Sequence, residues 1–87
     1  MGTTVTCMAQ TFPAYFARAV RARMNELGIT ELALHKATLI PRITISRRLA
    51  GHDFKSTEMK LIATALGTTV EDLSADAERI EASERAA

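Results

Sequence analysis

The stretch Gly28–Gly51, GITELALHKATLIPRITISRRLAG, decides the fold of this chain. It opens with a stop and a start. Gly28 tolerates the left-handed backbone that ends a helix, and Thr30 offers its side-chain oxygen to the orphan amides of the next one. Glu31 then places negative charge in the first turn, where the helix dipole favours it. This spacing predicts a short helix over about Glu31 to Thr38. Ile40-Pro41 ends it, because proline drives the preceding residue out of the helical region while itself suiting the first turn of a new helix. That second helix runs roughly from Pro41 to Ala50 and stops at Gly51.

At 100° per residue, Ile45 and Leu49 fall on one side of the second helix, with Pro41 in line and Arg48 on the flank. Ile43, Arg47 and Ala50 fall on the other side, and Arg42, Thr44 and Ser46 lie between. Such a helix carries three arginines around an apolar back. Arginine's planar fork can span guanine O6 and N7 or clamp a phosphate, which lysine's point charge cannot do. The plain alternative is a solvated helix with ordinary surface charge. A short helix, a tight turn and a second helix of this kind form the arrangement that pushes one helix into the major groove of duplex DNA while another crosses above it.

The segment TISRRLAG, with GIT placed fourteen residues before Thr44, resembles the helix-turn-helix of the lambda-repressor-like (Cro/CI, XRE) family. The form in phage repressors and small actinobacterial regulators is the most similar. The resemblance continues through TEMKLIATALGTTVEDL, which looks like the family's fourth and fifth helices, and covers about Phe12 to Leu73. Three positions depart from the pattern: His35 stands where the family has a small residue, Leu39 where it has glycine, and Leu49 where many members carry a glutamate paired with a first-helix arginine. The resemblance implies an all-α, five-helix DNA-binding domain whose second and third helices form the helix-turn-helix. It also implies that the loop after the reading helix runs along the DNA backbone.

Outside this segment, Thr11 is a plausible cap for a first helix over about Phe12 to Leu27, with Phe16, Val20, Met24 and Leu27 at helical spacing and Arg18 and Arg21 off that line. In the loop Gly51–Ser56, Phe54 reads as the buried anchor. Ser56 reads as the cap of a fourth helix to about Leu66, with Met59, Ile62, Ala63 and Leu66 inward and Gly67 as the stop. Thr69-Val70-Glu71-Asp72 starts a fifth helix like a capping box. Val70, Leu73, Ala77 and Ile80 extend its stripe past the resemblance, to about Ser83. This acidic extension, residues 76–87, packs on its own domain or on a partner copy, or frays; the expectation taken forward is a helix contributing to a dimer contact. Residues 1–11 read as an arm, with an extended strand left open, ahead of the DNA-binding domain over 12–75.

With 87 residues the chain has material for one small core. Its 47% apolar and 24% charged content fits neither a disordered nor a membrane class. The single cysteine, Cys7, fits a reducing cytoplasm, and no secretory signal is visible. Gly2–Thr6 matches only a loose myristoylation pattern that chance supplies often. The formal charge of +1 conceals a split: residues 1–60 hold nine Lys/Arg against four acids, and residues 61–87 hold two against six. The positive part coincides with the reading helix, as a nucleic-acid surface requires.

No catalytic constellation stands out, so enzyme function is not expected. His35 reads as packed or hydrogen-bonded, Cys7 has no nearby activating partner, and no spacing suggests zinc; no cofactor, small-molecule ligand or membrane is implied. The expected base readers are Arg42, Ile43 and Arg47, with Thr44 and Ser46 next and Ile43 suited to a thymine methyl. Backbone contacts are expected from Thr30, Glu31 and Lys36 on the crossing helix, and from Arg48, His52, Lys55 and Ser56. Glu31 could contribute only through its amide and the helix terminus. The partner expected is a double-stranded operator, bound by a homodimer. With no room for a second domain, a Cro-like regulator or short immunity repressor fits. An antitoxin that also holds its toxin through the acidic tail is the alternative, and an orphan helical domain that has lost DNA binding is a third.

Overall fold

The computed structural model describes residues 12–86. The arm, Cys7 and the Thr11 cap lie outside the described residues. Five helices follow one another: α1 (Phe12–Leu27), α2 (Glu31–Thr38), α3 (Arg42–Leu49), α4 (Ser56–Ala65) and α5 (Val70–Ala86). The described chain is therefore all-helical, as the sequence implies, with boundaries within a residue or so of those expected up to the last helix.

The stops explain those boundaries. After α1, Gly28 sits at φ 69°, and the Ile29 and Gly28 amides donate back to Met24 O (2.9 Å) and Asn25 O (3.3 Å). This paired closure satisfies carbonyls a helix end would otherwise leave bare. The same closure follows α3, where Gly51 has φ 110°. A Cβ there would lie 3.6 Å from that of Ala14, an ordinary contact, so backbone conformation, not space, calls for glycine.

Phe16, Val20, Leu34, Ile45, Ile62 and Leu73 are the largest fully buried side chains, one or two from each helix. α1 is the spine: it lies along α5 and against α3, while α2 packs on α3 and α4. The expected anchor Phe54 packs on this core, its ring edge-on to Phe16 with centroids 5.0 Å apart. Leu27 departs from the expected stripe. It is the last residue of α1, and it is half exposed.

Two further expectations are corrected. Ser56 is the first helical residue of α4, and Lys55 holds the cap position. The cap is made from inside the helix, by Glu58 Oε1 accepting from the Lys55 amide at 3.1 Å. Of the alternatives for the stripe on α5, packing on its own domain is what the structure has: Leu73 and Ala77 are fully buried, and Val70 and Ile80, partly buried, pack on the core. Glu84, near the end of α5, accepts hydrogen bonds from Tyr15 and Arg18 of α1, and Arg23 reaches Asp76 at 3.0 Å. The helix therefore runs three residues beyond the expected Ser83, held by charges as well as by its apolar line.

Candidate nucleic-acid interface

The turn between α2 and α3 fixes how α3 is presented. Thr30 Oγ1 accepts from the Ala33 amide at 3.1 Å and starts α2. At its other end the Leu39 amide donates to His35 O (2.7 Å), and Leu39 takes the left-handed conformation at φ 65°, ψ 12°. The next residue, Ile40, has both backbone groups satisfied by side chains of α2. Its amide donates to Thr38 Oγ1 at 3.2 Å, and its carbonyl accepts from His35 Nδ1 at 2.6 Å. Buried Thr38 also donates to Leu34 O at 2.8 Å. His35 is therefore a structural residue of the turn, and the left-handed leucine persists because the bonds around it over-determine the backbone.

Pro41 is the residue before α3 rather than its first helical one, and its carbonyl accepts the first helical bond, from Ile45 at 3.0 Å. Ile45 and Leu49 are buried, Thr44 and Arg48 half-buried. Arg42, Ile43, Ser46, Arg47 and Ala50 are exposed and make up the outer arc. Ile43, at 65% exposure, is an aliphatic side chain presented to solvent amid arginines. Among the described residues, neither Arg42 nor Arg47 takes part in an ion pair.

Three expected contacts are placed differently. Arg48 is engaged inside the protein: its Nε and Nη2 donate to Glu58 at 2.7 and 3.3 Å. With side chains only 19% and 13% exposed, the pair straps α3 to α4. The Glu58 hydrogen bond raises the affinity of the guanidinium for its proton. In return the Arg48 bond, with help from the Lys55 amide, holds the Glu58 carboxyl below the usual glutamate range. Ser46 and Glu31, expected on bases and on backbone respectively, are joined to each other: the Ser46 hydroxyl donates to Glu31 Oε1 at 2.8 Å.

Of the remaining backbone candidates, Thr30, Lys36, His52, Lys55 and Ser56 are exposed. They come from the start and end of α2 and from the loop and helix start that follow α3. Arg21 of α1, which the sequence did not single out, is likewise engaged within the protein. Its Nε donates to Leu49 O at 3.4 Å, on the last turn of α3, and its Nη2 lies 3.9 Å from Glu31 Oε2. Its position off the apolar line of α1 was the only signal, and that signal says exposed without saying where. Among the described residues no group of three or more His, Cys, Asp or Glu is placed to hold a metal ion, and no helix is long and apolar enough to cross a membrane.

Against this geometry, no family model, no curated protein and no solved structure matches the chain.

Proposed function

We propose that this protein is a sequence-specific DNA-binding transcriptional regulator of the lambda-repressor-like helix-turn-helix kind, with α3 as the helix that enters the major groove. One observation carries the reading. Arg42, Ile43 and Arg47 stand on the outer arc of α3, and both guanidinium groups lack ion-pair partners among the described residues, while the third arginine, Arg48, is strapped down by Glu58. Two arginine forks and an aliphatic side chain suit guanine edges and a thymine methyl. Thr30, Lys36, His52, Lys55 and Ser56 flank that arc as phosphate contacts that set register without reading sequence. A single module of this size buries little DNA, so two copies would read half-sites about 34 Å apart. Regulation then follows from occupying an operator and blocking polymerase.

Oligonucleotides selected from a random pool supply the ligand, and the affinity of the best one is then titrated against salt. Neutralised phosphates release counterions, so log affinity falls with log salt by about 0.9 per phosphate contact. A slope of several units with a reproducible consensus is expected. A flat salt profile, or a pool that never converges, overturns the reading.

A further inference from the structure

Ser46 differs from the other outer-arc residues of α3 in that its hydroxyl proton already has a destination. Oγ–H donates to Glu31 Oε1 at 2.8 Å, and a carboxylate can only accept. Glu31 is itself fixed in place. It occupies the first turn of α2 directly after the Thr30 cap, and its other oxygen lies 3.9 Å from Nη2 of Arg21. The same Arg21 holds the last turn of α3 through Leu49 O, so three helices converge on this carboxylate. Ser46 nonetheless remains exposed, one helical turn after Arg42 and beside Arg47.

We propose that Glu31 determines what Ser46 reads. A free serine hydroxyl rotates, donates or accepts, and so discriminates poorly between base edges. With its proton committed to Glu31, Ser46 turns only lone pairs toward the groove. It therefore selects a base edge carrying an amino donor, adenine N6 or cytosine N4, and rejects guanine O6 and thymine O4, which are acceptors. Glu31 is thus a positioning residue for specificity and not a phosphate contact. This inference rests on the DNA reading of α3.

The test is oligonucleotide selection with the wild-type chain, Ser46→Ala and Glu31→Ala, each checked for an unchanged melting profile. In the wild type one position per half-site is expected to hold adenine or cytosine. That position alone loses its preference in Ser46→Ala, and it broadens to all four bases in Glu31→Ala, which removes the acceptor and frees the hydroxyl. A second measurement needs no Glu31 variant: removing the exocyclic amino group from that base should weaken wild-type binding about three- to tenfold and leave Ser46→Ala unaffected. The inference is overturned if no position responds to Ser46→Ala, if the responding position holds guanine or thymine, or if Glu31→Ala keeps the wild-type preference. A wild-type chain that selects no duplex removes the DNA reading itself; a selected site indifferent to Ser46 removes only this inference.

Discussion

Leu39 is the residue at which local chemistry and backbone geometry disagree. It is the only non-glycine among the described residues with positive φ, and at 80% exposure it gains little from burial. A left-handed conformation costs an L-residue about 1–2 kcal/mol, while placing glycine there costs about 0.5–1 kcal/mol of unfolded-chain entropy. Leu39→Gly is therefore expected to leave the melting temperature level or raise it by a few degrees, read by thermal unfolding. A fall of many degrees would show that Leu39 packs in a different turn. The position was legible only because the resembled family keeps glycine there. Nothing in the composition of the segment separates Leu39 from the leucines at 32 and 34, of which one is exposed and one buried. His35 is similar: its role is a bond to a backbone carbonyl five residues on, which no side-chain periodicity reveals.

At the scale of elements, the α3–α4 strap ties stability to pH. The folded pKa of Glu58 lies below its unfolded value, mainly through the Arg48 hydrogen bond. The strap's stabilisation is therefore fully present above the ordinary glutamate pKa, about 4.3, and is lost as pH falls through the lower folded value. Glu84, lowered by its bonds from Arg18 and Tyr15, contributes with the same sign along the α1–α5 seam. Glu58→Gln is expected to lower the melting temperature at neutral pH, and to make it decline less on acidification below about pH 4.3 than in the wild type. Parallel curves for the two proteins would contradict the strap.

Helix positions were largely legible, because Thr30, Pro41 and the glycines at 28, 51 and 67 are local signals read one helix at a time. Phe54 was legible for the same reason, as a lone aromatic in a polar loop. The straps were not. Arg48–Glu58, Ser46–Glu31 and Arg21–Leu49 each join different helices, and their pairing depends on how those helices cross. Periodicity assigns a side chain to an arc, and placed Arg48 on the flank correctly, but it cannot say that a carboxylate waits opposite. The α5 stripe was left with alternatives for the same reason: its apolar residues were recognised, and the surface they cover became clear only once α1 lay alongside.

For the whole molecule, charge is sorted by helix. The acidic side chains of α5 meet Tyr15, Arg18 and Arg23 of α1, which places part of the chain's negative charge along that seam. Arg42 and Arg47 of α3, and Lys55 of the loop after it, are exposed. Such a domain holds its structure with one set of arginines and leaves Arg42 and Arg47 without ion-pair partners among the described residues, so under the proposed DNA reading removing these two should affect binding without unfolding the chain. The most direct measurement is the affinity and selected consensus of Arg42→Ala and Arg47→Ala, with thermal unfolding as the control. Each variant should keep the wild-type melting temperature within a degree or two, lose about 1–3 kcal/mol of binding and relax the consensus at its own position. Unchanged affinity and an unchanged consensus in both variants would contradict the assignment of α3 as the reading helix.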